Sequence, residues 1–281
     1  MSHYWSQSYW LDLNPPLCSA RNLLAGMEPY NGCATNYGGV PAAQYPMTTI
    51  LAFLPIAWLP GSIPTTIAWG AMNALLAFGI VQTGEPWRFL VFASGSYALA
   101  FLYHQFSPLI AAVMLLPSLL PLALVKPQTG IPVILTNLTL RRALGCLVFL
   151  ALTFIVYPRW PWVWWQSGRN YDGVVPLLLL PFGPLVSLAL LRPRSREAWT
   201  LFLFACIPQR SLYDLMPLML LPSTRWQNVI IVTLSWLPVV AILRAGQDNN
   251  SVSLSILFIY LPLLVMQLTH SLKIPVPNKL N

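Results

Sequence analysis

PTTIAWGAMNALLAFGIVQ, residues 64–82, is a run of small, branched and aromatic side chains without a single charge, close to the ~20 apolar residues that a straight helix needs to cross a bilayer. Runs of this character recur along the 281 residues, at 47–60, 87–103, 106–125, 128–140, 143–157, 173–191, 197–208, 211–222, 226–243 and 251–270. Several are shorter than a full span, and 197–208 with 211–222 reads as one broken pair. Composition agrees: 57% of residues are hydrophobic and 8% charged, against about 25% charged in a soluble domain, and mean hydropathy is +0.64. The expected fold is therefore all-α, a polytopic transmembrane helical bundle of about 9–11 segments. No internal repeat or low-complexity linker divides the chain, so residues 1–281 read as a single membrane domain. Residues 1–46 form a loop segment ahead of the first apolar run. Met1 to Leu13 is polar and aromatic and shows no secretory signal pattern.

The chain carries 27 prolines, and Pro55, Pro108, Pro117, Pro121, Pro132, Pro181 and Pro184 fall inside apolar runs. Proline removes a backbone donor and kinks or ends a helix. The freed carbonyls must then face protein or water. Bent and half-length helices of this kind imply an internal cavity.

Lysine and arginine set the orientation. Arg141 and Arg142, then Arg192, Arg194 and Arg196, then Arg225, then Lys273 and Lys279 fall between alternate runs and mark the cytoplasmic side. Residues 12–45, Glu85 to Trp87, Lys126 to Gln128, 158–172, Pro208 to Asp214 and 244–250 then face outward. Two runs leave the parity open: 47–60 is short enough to be re-entrant, and Pro117 splits 106–125. The seven acidic residues are Asp12, Glu28, Glu85, Asp172, Glu197, Asp214 and Asp248, and this reading puts all but Glu197 on the outer face. Outer cations, among them Arg21, Arg88, Lys126, Arg159 and Arg210, either snorkel to headgroups or hold an anion such as a lipid phosphate. The net charge of +8 is dispersed between apolar runs, which excludes a nucleic-acid footprint.

Certain motifs carry a resemblance. Asp12 is followed by Ala20-Arg21-Asn22-Leu23-Leu24-Ala25-Gly26, by Glu28-Pro29-Tyr30 and by Tyr45-Pro46; His104-Gln105-Phe106-Ser107-Pro108 precedes Lys126-Pro127-Gln128; Pro208-Gln209-Arg210-Ser211-Leu212-Tyr213-Asp214 follows. In this order they resemble the integral membrane glycosyltransferases of family 87, of the GT-C type, which include polyprenol-phosphate-mannose-dependent mannosyltransferases. The family carries a transmembrane helix before its loop aspartate that is not seen ahead of Asp12, a longer stretch between Gln105 and Lys126, and commonly a second proline where Met47 stands.

The resemblance implies an inverting transfer of a sugar, mannose in those relatives, from a polyprenyl-phosphate donor to an acceptor hydroxyl on the outer face of a bacterial inner membrane. It implies Asp12 as general base, Lys126 and Arg210 as phosphate contacts, and Asp214 as a hydroxyl-orienting group; Arg21, Tyr30, Tyr45 and Gln105 complete the substrate-binding set. No cofactor or metal is expected beyond the lipid-linked sugar phosphate as donor substrate. Membrane lipid and other membrane subunits are the expected partners. Two readings of Asp12 and Asp214 remain beside these, a turn or helix cap for Asp12 and a buried partner of Arg210 for Asp214. The alternative function is a non-catalytic integral membrane subunit of a larger complex built on the same scaffold.

Three further features leave the outer loop open. The cluster Trp160-Pro161-Trp162-Val163-Trp164-Trp165 is an interfacial anchor or a stacking platform for sugar or isoprenoid. Cys18 and Cys33 share the outer loop and could be bridged, whereas Cys146 and Cys206 lie in apolar runs. His3, His104 and His270 lack metal-ligand spacing.

Overall fold

Proline sets where the helices begin. In the computed structural model, which describes residues 12–32, 44–167, 173–245 and 253–270, Pro64, Pro86, Pro108, Pro117, Pro127 and Pro184 each stand in the first two positions of a helical segment. The missing N–H costs nothing there, because the first helical donors have no intrahelical acceptor. Pro121, Pro132 and Pro217 do fall inside segments. The apolar runs accordingly divide into α-helices, most of them short, and 3₁₀ stretches, the latter at Pro86–Ala93, Pro117–Val125, Pro176–Leu178, Gly183–Leu191 and Leu212–Leu220 among the described residues.

Among the described residues the chain is helical, and the only strand-like feature is an isolated antiparallel bridge between Val174 and Gln209. Among the described residues two helices are long and apolar enough to cross a membrane, Ile63–Thr83 with 21 residues and Arg225–Arg244 with 20. A third candidate, Leu140–Val156 with Trp160–Gln166, bends by 88° at its break. The remaining segments are shorter than a span.

The described elements run between two ends. Asp12, Gln105, Lys126 and Asp214 gather at one, the aspartate end. Arg88, Arg192, Arg194 and Arg196 gather at the other, the arginine end, where they line one cavity. Helix Ile63–Thr83 connects them: the Trp69 ring lies tilted against His104, 5.1 Å between ring centres, while Gly79 lies against Leu115. At 1.5 Å per residue this helix is about 31 Å long.

The path of the chain decides the two runs whose parity was open. Residues 47–60 stay at the aspartate end. The Arg21 guanidinium donates to the carbonyls of Ala57, Leu59 (2.7 Å) and Gly61, which keeps residues 57–61 beside helix Asn14–Leu24. The run 106–125, in contrast, makes two legs instead of one. Ser107–Leu115 leads away from Gln105, the chain turns at Leu116 and Pro117, and Pro117–Val125 returns to Lys126, whose Nζ meets Gln105. Glu85, Trp87 and Arg88, expected on the outer face, therefore lie at the arginine end: Glu85 and Arg88 share the cavity with Arg192, Arg194 and Glu197, and Arg88 donates to the Leu220 carbonyl. The changes at 47–60 and 106–125 offset one another, so Lys126 and Asp214 still lie together at the aspartate end. Asp172, Asp248, Arg169, Cys33, Lys273 and Lys279 lie outside the described residues.

Candidate active site

Local backbone chemistry delivers four chain-distant segments to one place. Helix Gly95–Tyr103 ends at His104, whose φ of 48° is the left-handed closing conformation; Gln105 N–H then returns to the Ala100 carbonyl at 2.9 Å, the hydrogen-bond pattern of a Schellman turn. That turn aims Gln105 across to Asp12, whose own N–H is held by the Tyr103 carbonyl at 3.0 Å. Thr48 and Thr49, in the first turn of Met47–Phe53, donate their hydroxyls to the carbonyls of Leu124 and Val125. They tie Tyr45, just upstream, to Lys126, just downstream. Gly130 lets helix Pro127–Asn137 lie on the preceding stretch, since a Cβ there would stand 1.9 Å from the Ala123 carbonyl oxygen. The loop Pro208–Ser211 is fixed by the paired Val174 and Gln209 backbones, at 2.8 Å in each direction, and by the Gln209 amide on the Phe204 carbonyl and the Tyr260 hydroxyl.

The side chains form one continuous polar array. Lys126 Nζ lies 2.7 Å from Asp214 Oδ1 and donates to Gln105 Oε1 at 3.0 Å. The Gln105 amide nitrogen donates to Asp12 Oδ2, which also accepts from the Tyr45 hydroxyl at 3.3 Å. Only one amide orientation of Gln105 satisfies a cation on one side and a carboxylate on the other. Asp214 Oδ2 accepts from the Arg210 backbone N–H at 3.1 Å, and the Tyr213 ring lies 4.7 Å beneath the ammonium. Gln105, Lys126 and Asp214 are 0%, 4% and 1% exposed. Lys126 stands at the start of helix Pro127–Asn137, where the helix dipole is positive, and the Asp214 carboxylate lies against it.

Asp12 differs from Asp214 in setting. It lies ahead of helix Asn14–Leu24 and is half-buried. Burial pushes its carboxyl above the usual aspartate value; the Lys126 and Arg210 cations and the Tyr45 hydroxyl oppose that shift, and the nearby Asp214 adds to it. A carboxylate so held is a stronger proton acceptor than one in water.

Of the residues singled out in the sequence, Asp12, Tyr45, Gln105, Lys126, Arg210 and Asp214 come together. Arg210 contributes its backbone to Asp214, while its exposed guanidinium makes no hydrogen bond or ion pair among the described residues. The buried-partner reading of Asp214 finds Lys126 in the place it gave to the Arg210 side chain. Arg21 and Tyr30 stand apart. Arg21 is committed to three backbone carbonyls, and Tyr30 packs on Tyr157, 6.3 Å between ring centres, whose hydroxyl donates to Glu28 at 2.6 Å. Trp160 is buried against Phe154 and Trp164, with Trp162 and Trp165 exposed. Cys18 is disulfide-bonded, and Cys146 and Cys206 are free. Thr48, Thr49 and Gln209 were not foreseen as positioning residues; the consecutive threonines opening an apolar run were the available signal.

Comparison with protein-family models, with curated proteins and with solved structures gives no match. Function therefore has to be read from the array itself.

Proposed function

We propose that the protein is a multi-pass inner-membrane glycosyltransferase of the GT-C type, similar to family 87, which transfers a sugar, mannose by that resemblance, from a polyprenyl-phosphate donor to an acceptor hydroxyl on the extracytoplasmic face. The observation that carries the reading is the array joining Asp12, Gln105, Lys126 and Asp214, four positions whose order along the chain matches the family's motifs. In the proposed step the acceptor hydroxyl gives its proton to Asp12 as its oxygen bonds to the anomeric carbon, and the bond from that carbon to the phosphate oxygen breaks with its electron pair. The phosphate leaves bearing the additional charge. Arg210, whose guanidinium makes no hydrogen bond or ion pair among the described residues, supplies the direct contact, and Lys126 supplies a nearby positive charge. Gln105 and Tyr45 hold the Asp12 carboxylate in a fixed orientation.

A second reading has its own support: Lys126 is already paired with Asp214, as in a buried structural ion pair of a non-catalytic membrane subunit. Transfer of labelled sugar from polyprenyl phosphate by the lipid-reconstituted protein separates the two. The transferase reading expects turnover by the wild type and a fall of about 10²-fold or more in Asp12→Asn, which keeps the shape but accepts no proton. Absence of transfer by the wild type favours the subunit. Wild-type transfer with unaffected Asp12→Asn keeps the reaction and rejects Asp12 as base.

A further inference from the structure

At the arginine end a cavity of about 830 Å³ opens between the turn after helix Ile63–Thr83, the tip of the Ser107–Val125 hairpin and the loop Arg192–Ser195. Its existence follows from the path of the chain. A nine-residue α-helical leg advances only about 14 Å, so the hairpin tip stops part-way and leaves space beneath Met114 and Leu115.

The lining is cationic. Arg88 is neutralised by Glu85, which leaves Arg192, Arg194 and Arg196 facing Glu197. Glu197 accepts instead from the Ser195 hydroxyl at 2.9 Å. Arg192 donates to the Gln267 carbonyl, and Arg196 to the Asn137 side chain and, at 3.4 Å, to the Met114 carbonyl. Each of these guanidinium groups retains further N–H donors. Arg194 is exposed and makes no hydrogen bond or ion pair among the described residues. Three arginines lining one cavity with one opposing carboxylate supply N–H donors suited to the oxygens of a phosphate. The volume exceeds what a phosphate alone requires and falls in the range of sites that hold an organic ligand, about 300–1,000 Å³. Met114, Leu115, Leu220 and Met266 give the cavity an apolar wall.

We propose that this cavity binds a phosphate-bearing amphiphile through Arg192, Arg194 and Arg196, at the end of the molecule opposite Asp12. The shared chemistry is a phosphate ester with an apolar part, and two sources present it: the headgroup of an anionic phospholipid and a soluble organic phosphate. The site does not depend on the transferase reading.

The test is retention of ligand by the reconstituted protein. In one arm, native mass spectrometry follows phosphatidylglycerol kept from phosphatidylcholine nanodiscs doped with it; in the other, equilibrium dialysis in pure phosphatidylcholine follows labelled geranyl diphosphate. Arg194→Glu should weaken retention by about tenfold, the scale of one lost charge-assisted contact, with thermal unfolding unchanged because Arg194 holds no structural bond. Arg244→Glu, an exposed cation at the far end of helix Arg225–Arg244 and outside both the cavity and the aspartate array, should leave retention unaltered. An Arg194-dependent signal in the first arm assigns a lipid headgroup, and one in the second a soluble organic phosphate. Equal retention by wild type and Arg194→Glu in both arms overturns the proposal, as does an equal loss in Arg244→Glu.

Discussion

The aspartate end and the arginine end handle charge in opposite ways. At the first, two carboxylates meet the Lys126 and Arg210 cations, and the buried members are closed on one another through Gln105, so that Lys126 and Asp214 have almost no contact with solvent. At the second, Arg194 has no partner among the described residues and the charges border open volume. A buried pair cannot lose one member cheaply, because the survivor is left charged in a low-dielectric setting. A solvated arginine can be removed with little effect. Identical types of substitution should therefore have very different consequences at the two ends.

The largest effect belongs to the ion pair. Asp214→Ala should destabilise the protein by about 3–5 kcal/mol, since it strands Lys126, whereas Arg194→Ala should change stability by less than about 0.5 kcal/mol. Thermal unfolding in detergent compares the two directly. Replacing both partners, as in Lys126→Met with Asp214→Leu, should recover most of the loss; failure to recover would show that Asp214 acts mainly through the Arg210 backbone.

Next is the packing that brings Lys126 to Gln105. Gly130→Ala places a methyl group against the Ala123 carbonyl, where backbone must shift, and should cost about 1–3 kcal/mol as overpacking does. Gly70, whose Cβ would meet nothing within 4 Å, is the control: Gly70→Ala should leave stability unchanged or raise it by up to about 1 kcal/mol, as expected inside a helix.

The smallest effect is in pH dependence. Asp12 has its carboxyl raised above the usual 3.8, so the fold favours its protonated form relative to the unfolded chain. That contribution is fully present below the unfolded value and is lost as pH rises through the folded one. Unfolding measured across this window should show wild type losing stability relative to Asp12→Asn as pH increases. A constant difference would mean that the Lys126 and Arg210 cations cancel the effect of burial.

Much of the aspartate end could be read from sequence because its residues are rare types in an apolar chain. Asp12, Tyr45, Gln105, Lys126, Arg210 and Asp214 stood out individually, and their order along the chain suggested one site. The path between them was harder to see. Hydropathy reports that 47–60 and 106–125 are apolar, and an apolar run that turns back has the same composition as one that crosses. What distinguishes them is tertiary: Arg21 capturing the carbonyls of residues 57–61, and a turn at Leu116 and Pro117. Glu85 and Arg88 were consequently assigned to the wrong end, although placing Arg88 with Arg192, Arg194 and Arg196 strengthens the positive bias that oriented the chain. The cavity at that end was invisible in the sequence as a place, since its lining comes from five separate stretches.

The most direct test of this two-ended arrangement is cysteine accessibility in oriented membranes, with Cys146 and Cys206 replaced by serine. Glu85→Cys and Arg194→Cys should react with a membrane-impermeant maleimide from one side, and Arg210→Cys from the other. Labelling of Glu85→Cys from the same side as Arg210→Cys would contradict the path traced here.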